Sequence, residues 1–413
     1  MAAKKPAAPR VAVIDGARTP FLRGGTDFND LMAYELGRIA VAGLMHKTGV
    51  DPALIESVYF GCVMADPSTS NVAREITLAA GLPKSVAAYT ISEACISANQ
   101  AVTNAADQIR LGHADLVVAG GTDITSDVPI RFSKRMRQKF IRANRAKGWK
   151  DYYAIFKDVR PADLAPDAPG IEDFFTRMSM GESCDRMCKR LGVTREEQDE
   201  YAARSHQLAA KATADGVLAD EIVPVAPPPK FKAVTTDNGI RGDSTKEKLA
   251  KLPPAFDRKY GTVTAGNASF LTDGAAAVLL ASEKAVRELG LKPKAYIRSY
   301  AFRGTDPQEE MLLGQTYATP IALARAGLKF QDMGVLEIHE AFAGQMIATI
   351  KLLGSKEFAK EHFGMSDKIG DVDYDKLNLH GGSLSLGHPF GATGARLVTT
   401  CANRLQREDK NTA

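Results

Sequence analysis

Cysteine is scarce in this 413-residue chain: five residues, at 62, 95, 184, 188 and 401, scattered and odd in number. That usage argues against a disulfide framework and fits a reducing compartment. Cys184 and Cys188 stand four apart with no second pair. Zinc is therefore not expected. The histidines at 46, 113, 206, 362 and 380 show no metal-ligand spacing either. No apolar run is long enough to span a bilayer. An excess of one charge is also lacking. With 53 Lys+Arg against 49 Asp+Glu the net charge is +4, too small to imply nucleic acid. The head, Met1 to Arg10, is basic but has no apolar h-region, so a secretory signal is not expected; a short organelle presequence stays open.

What is present is ordinary for a globular protein: 45% hydrophobic and 25% charged residues, in a length that suits two or three domains. Val11-Ala-Val-Ile-Asp15, Ser57 to Met64 and Ala114 to Gly121 read as buried strands. Leu31 to Lys47 has helical periodicity. Alternating strands and helices predict a parallel sheet covered on both faces. From about Ser126 to Pro254 the character changes. Arg131 to Lys150 carries nine Lys/Arg and no acid, and Pro161, Pro166 and Pro169 follow. This stretch reads as a lid or loop domain. Its basic tract is a solvated face, or a contact for substrate phosphates, anionic lipid or a partner. The α/β pattern returns at Thr262–Ser269 and Asp273–Leu280.

The chain then echoes itself three times in order. Lys294–Ala301 echoes the first strand, Asp332–Phe342 echoes Pro52–Cys62, and Gly387–Arg396 echoes the small-residue helix expected after Cys95. Two similar halves would set those two helices side by side, with Cys95 and His388 facing. Cys95 is expected in the first helical turn, where free N–H groups favour a thiolate nucleophile. The alternative is a small buried hydrophobe. His388, ahead of Pro389 at the expected first helical position, could take the thiol proton; otherwise it is a core histidine. His339 ends a strand pattern, where it could donate to a substrate oxygen. Glu340 could orient it or cap the next helix.

Ser92-Glu-Ala-Cys-Ile-Ser-Ala-Asn-Gln-Ala101, Gly266-Asn-Ala-Ser with Asp273-Gly-Ala-Ala, His339-Glu-Ala-Phe and Gly387-His-Pro-Phe-Gly-Ala-Thr-Gly together resemble the thiolase family. The wording around Cys95 and His339 is similar to its trifunctional-enzyme β-subunit branch and bacterial counterparts. The resemblance implies an α/β fold: a five-layer αβαβα sandwich of two duplicated βαβαβαββ halves with an inserted loop domain. The halves would be 1–125 plus 255–290 and 291–413, with the loop domain at 126–254. It implies thiolytic cleavage of 3-ketoacyl-CoA, with Cys95 as nucleophile, His388 as its base and His339 holding a water at the thioester oxygen. Ser269 would contact the pantetheine arm, with Met180 and Gly266 also at coenzyme A. Ser179 stands where many thiolases have histidine. Coenzyme A is the co-substrate, with no permanently bound cofactor. Implied partners are a second copy or a dimer of dimers, a hydratase/dehydrogenase α subunit and peripheral membrane, without nucleic acid. The compartment would be cytoplasmic in a bacterium and mitochondrial in a eukaryote. A biosynthetic acetyl-CoA C-acetyltransferase and a non-catalytic acyl-CoA-binding subunit are the alternatives.

The family also has a second catalytic cysteine, in a Cys-x-Gly loop after the His388 helix. The sequence reads 25 residues past His388, to Ala413, and holds no such loop. Cys401 would lie about 20 Å along the helix from His388 and reads as a core cysteine. The last strands of the second half are thus expected to be missing. A buried sheet edge would then be exposed, and the loss of one oxyanion donor would cost roughly 100- to 1,000-fold in rate.

Overall fold

A computed structural model describes residues 9–167 and 170–413. Most of the basic head lies outside these residues. The strands are β1 (Val11–Arg18), β2 (Leu22–Arg23), β3 (Ser57–Gly61), β4 (Ala87–Ile91), β5 (Leu116–Asp123), β6 (Arg131–Phe132), β7 (Pro166–Asp167), β8 (Thr272–Ser282) and β9 (Ala295–Ile297). The helices of the first half are α1 (Ala33–Thr48), α2 (Val72–Ala79) and α3 (Ser97–Arg110). Between β5 and β8 come α4 (Lys134–Ala143), α5 (Trp149–Phe156), α6 (Met180–Leu191), α7 (Arg195–Ala214) and α8 (Lys246–Leu249). Then follow α9 (Glu283–Glu288), α10 (Gly314–Ala326), α11 (Ala343–Leu353), α12 (Lys356–Phe363), α13 (Ser383–Leu386) and α14 (Thr393–Arg407).

One seven-stranded sheet runs β4-β3-β5-β8-β1-β9, with β2 on β8. It is mixed rather than wholly parallel: β3 pairs parallel with β4 and β5, and β8 runs antiparallel to both β5 and β1. The central strands β5 and β8 are buried along their whole length. Alternate residues of β8 serve opposite faces, as the two-residue strand period requires. Ala275, Ala277, Leu279 and Ala281 join the core under α1 and α2. Ala276, Val278 and Leu280 join the core under α3 and α14. Thr262–Ser269 is not a strand. The Asn267 side chain accepts the Thr264 N–H at 2.7 Å and donates to the Thr262 carbonyl at 3.1 Å, folding the segment into a turn.

The second half differs. Among the described residues it forms no sheet of its own. Val335–Leu336 is reduced to an isolated bridge between Leu336 and Leu377, and β9 pairs with β1 instead. In the first half β5 and β8 occupy the sheet centre. Among the described residues the extended segments of the second half form no such centre. They pack as loops and helices around a core on α6, α7 and α11.

Small residues allow the two expected helices to pass closely. A Cβ on Gly61 would stand 2.7 Å from the Ser97 Cβ, and one on Gly394 2.2 Å from the Asn99 side-chain oxygen. One on Gly121 would stand 1.7 Å from the Gly391 carbonyl oxygen. The last contact presses β5 directly against the loop that carries His388.

Candidate active site

Cys95 does not lie in the first turn of α3. The helix starts at Ser97 with Ile96 as its cap. Ser97 explains the delay: its hydroxyl accepts the Glu93 N–H at 2.8 Å and donates to the Ala94 carbonyl at 2.7 Å. Ala94 takes φ +45°, the left-handed region that a non-glycine residue rarely adopts. Cys95 therefore sits on a tight turn just ahead of the helix. Glu93 is exposed.

His388 likewise precedes its helix. Pro389 is not the first helical residue, since α14 begins at Thr393. Gly387 turns the chain at φ +109°, and the His388 N–H then donates to the Thr272 hydroxyl at 2.9 Å, at the start of β8. His339 comes from the extended segment after Leu336. Glu340 neither orients it nor caps α11. Its buried carboxylate accepts from Tyr201 at 2.9 Å, Ser205 at 2.7 Å and the Asn378 amide at 2.7 Å, tying α7 to the second half.

These loops bring one sulfur and two imidazoles together. The Cys95 Sγ and one ring nitrogen each of His339 and His388 lie within 4.8 Å of one another. The two rings are 4.1 Å apart at 45°. Residues of these types can hold a metal, but a structural zinc site asks for a fourth ligand; the group equally suits proton exchange.

Hydrogen bonds assign the protons. The Thr393 hydroxyl donates to the Pro389 carbonyl at 3.0 Å, so it must accept from His388 Nδ1 at 2.6 Å. That leaves His388 Nε2 unprotonated and without a partner. On His339 the logic reverses. The Ser383 hydroxyl accepts from Arg396 at 3.1 Å, which leaves its own hydrogen for His339 Nδ1 at 3.0 Å. His339 Nε2, also without a partner, then carries a proton to donate. One imidazole is a free base and its neighbour a free donor.

The electrostatics correct one expectation. Burial, followed by the nearby Asp123 carboxylate, pushes the Cys95 thiol up to about 12 rather than down. Burial and Arg396 bring His339 down to about 3. Burial, His339 and Arg396 hold His388 well below the usual imidazole range. All three groups therefore rest neutral near pH 7.

The remaining expected residues lie around this centre. The Ser269 N–H donates to the Ala341 carbonyl at 2.9 Å, and Leu271, two residues on, bridges His388. A Cβ on Gly266 would stand 2.5 Å from Leu252. Beside it opens a groove of about 520 Å³ lined by Leu252, Pro253, Pro254, Ala255, Arg258 and Ala265. Met180 is the first residue of α6 and packs in the same core as Leu252, Ala268 and Phe342. Ser179 caps that helix in a reciprocal box with Glu182. Cys401 lies outside the group, near Glu337, Arg404 and Arg396. Thr393, Ser383, Arg396 and Asp123 were not anticipated. Thr393 falls within the Gly-Ala-Thr-Gly run after His388, but its role depends on where α14 starts.

Residues 11–284 match the family described as the N-terminal domain of thiolase, and residues 291–413 its C-terminal domain. This chain belongs to the thiolase family. Members of that family are acyltransferases. Among its relatives is the human mitochondrial trifunctional enzyme subunit beta, 48% identical over 98% of this chain and 85% of that protein. Another is the 3-ketoacyl-CoA thiolase of Pectobacterium carotovorum, 46% identical over 96% of this chain and 91% of that protein. The fold is that of solved thiolases. Bacillus anthracis acetyl-CoA acetyltransferase superposes with a TM-score of 0.84 at 34% identity, covering 98% of this chain and 94% of that one. Human mitochondrial 3-ketoacyl-CoA thiolase in complex with CoA gives 0.81 at 31%, covering 98% and 93%.

Proposed function

We propose that the protein is a 3-ketoacyl-CoA thiolase of fatty-acid oxidation, with Cys95 as nucleophile, His388 as base and His339 as oxyanion donor. The observation that carries this is the convergence of a neutral thiol, an imidazole with a free lone pair and an imidazole with a free N–H. Cys95 sulfur attacks the keto carbon while its proton passes to His388 Nε2. The carbonyl pair moves onto oxygen, where His339 donates. As the carbonyl re-forms, the C2–C3 bond breaks. The acyl group stays on sulfur and the acetyl-CoA carbanion takes a proton; the His388 imidazolium is the acid at hand. A coenzyme A thiol then attacks the acyl carbon, its proton passing to His388 Nε2 and from there to the leaving Cys95 sulfur, which releases shortened acyl-CoA and the free Cys95 thiol. Ser269, Met180 and Gly266 flank the coenzyme. The groove by Gly266 joins apolar walls for a pantetheine arm to a cation, Arg258, for a phosphate.

In this reading residues 126–254 form the loop domain between two halves, 1–125 plus 255–290 and 291–413. A second copy docks on the outer strand β4, where Tyr89 and, beside Cys95, Ile96 are exposed. A hydratase/dehydrogenase α subunit supplies the ketoacyl substrate. The α4–α5 surface meets anionic membrane, since exposed Trp149, Tyr152 and Tyr153 stand in or beside the basic tract; Arg131, Arg135 and Lys139 there pair with Asp167, Asp158 and Asp163, and six basic residues remain in a tract that holds no acid.

The decisive experiment offers a 3-ketoacyl-CoA and weighs the chain. The expected result is an acyl adduct on Cys95, absent from Cys95→Ser and discharged by coenzyme A. A folded chain that never acquires the adduct defeats the proposal.

A further inference from the structure

Cys95, His339 and His388 have a second capacity besides proton exchange. Their donor atoms lie within 4.8 Å of one another. Neither imidazole spends its Nε2: both atoms are buried and have no hydrogen-bond partner. Both Nδ1 atoms, by contrast, rest on hydroxyl oxygens, Thr393 at 2.6 Å for His388 and Ser383 at 3.0 Å for His339. A metal-binding histidine is ordinarily held this way, with one ring nitrogen on the ion and the other on an oxygen that fixes the ring. His388 Nε2 already presents its lone pair. On His339 the proton must cross from Nε2 to Nδ1. The Ser383 oxygen has two lone pairs and can accept it alongside the Arg396 N–H it already holds.

The three atoms also fit in spacing and type. Around tetrahedral zinc, one sulfur and two nitrogens stand roughly 3.3–3.6 Å apart. No pair here has to close by more than about 1.5 Å, a distance that side-chain rotation covers. Thiolate and imidazole together select Zn2+ over Mg2+ and Ca2+, which take oxygen ligands. Cys95 and His339 are only half-buried, so one side stays open to an arriving ion and to water as its fourth ligand. Three protein ligands and an open position are the pattern of exchangeable rather than structural zinc. The buried Arg396 guanidinium behind Ser383 works against a cation, and Glu337, 3.7 Å from it, offsets that in part. Binding is therefore reversible.

We propose that Cys95, His339 and His388 form an inhibitory zinc site. Zn2+ bonds to the Cys95 sulfur and to both Nε2 atoms, and the thiol proton leaves to solvent, one per ion bound. Zinc binding and acylation exclude each other, because both use the same sulfur electron pair and the ion also covers the His388 lone pair. The inhibition rests on the reading of Cys95 as nucleophile; the binding does not.

The test titrates the full chain, stripped of metals with EDTA, with zinc chloride in a buffer free of thiols and chelators. Calorimetry should show one ion per chain at Cys95, unaffected by excess Mg2+ and abolished by Cys95→Ala. Thr393→Val should weaken it about 10- to 100-fold. Co2+ in place of Zn2+ should give a sulfur-to-cobalt charge-transfer absorption that Cys95→Ala removes. In the unaltered chain Zn2+ should block alkylation of Cys95 by iodoacetamide, read by peptide mass spectrometry, and EDTA should restore it. That arm needs no variant to fold. Undiminished alkylation of Cys95 at saturating Zn2+ overturns the proposal. So does a folded Cys95→Ala chain that binds as wild type, which would put the ion elsewhere, for instance at Cys184 and Cys188, whose sulfurs are 3.9 Å apart. A chain that binds Zn2+ through Cys95 yet forms no acyl adduct from 3-ketoacyl-CoA sinks the catalytic reading and upholds the site.

Discussion

The two halves bury different kinds of interior. The first half builds on β5 and β8, whose residues are almost all small or aliphatic and fully enclosed. Its buried charges, Arg18, Asp123 and Asp273, sit at strand ends; the second half holds Glu337, Arg396 and Arg404 within its core, with Arg404 pairing Glu337 at 2.8 Å and burial raising that glutamate to about 7. A sheet centre satisfies its backbone internally and tolerates an apolar filling. A half without that centre satisfies itself through side chains. The active site takes one member from each kind of interior: Cys95 from a turn on the rigid sheet, His339 and His388 from loops held by polar contacts.

This contrast can be broken at its closest backbone approach. Gly121→Ala places a methyl on the Gly391 carbonyl, and neither backbone can retreat. A loss of about 3–5 kcal/mol, or no folded protein, is expected by urea denaturation. Gly370→Ala, in the second half, meets the Phe330 Cβ at 2.6 Å, which is fixed to its backbone, so the short turn at Phe330 must shift to admit it. Roughly 1–2 kcal/mol is expected there. Equal losses would mean that the halves are equally rigid.

Core truncation sharpens the same point. Leu279→Ala on β8 and Leu377→Ala in the second core both remove a side chain with no exposure. About 3–4 kcal/mol is expected for the first and about 2–3 for the second. Hydrogen exchange should show the first loosening every strand and the second only residues 291–413.

Acid should act on the second half first. His339 is held at about 3 in the fold, below its unfolded range, so the unfolded chain binds the proton first. Its contribution is complete above about pH 6.5 and is lost as pH falls. Roughly 2 kcal/mol should disappear between pH 6.5 and 5. Urea midpoints across that range measure the slope, and His339→Asn should lessen it, leaving the share of His388 and His206, which burial also holds low.

The smallest expected change comes from Thr393→Val, which removes the acceptor of His388 Nδ1–H. About 1 kcal/mol of stability and about tenfold in kcat should go, with KM little altered. An unchanged kcat would remove Thr393 from the tautomer argument.

Much of the first half was legible because its strands carry continuous apolar runs. Val11–Asp15, Ser57–Met64 and Ala114–Gly121 each find their strand within a few residues. The helix starts were not legible. Ser97 and Thr393 begin their helices only because side chains and a left-handed Ala94 hold the preceding turns open, and apolar periodicity is silent on that. The antiparallel course of β8 was hidden as well, since a fully buried strand reads alike in either direction. In the site, cysteine and histidine types were readable. The groups that fix their protons were not: a serine, a threonine, an aspartate and an arginine look like any other until the fold places them.

Strand β8 has a consequence for synthesis. It fills the sheet centre between β5 and β1, yet it follows β5 only after a long intervening segment, residues 124–271. At ribosomal speeds of about 5–20 residues per second, the gap stays open for roughly 7–30 s on each nascent chain. During that interval β1 and β5 present unpaired inner edges, the kind of surface that invites pairing with another chain, until Ser282 clears the exit tunnel.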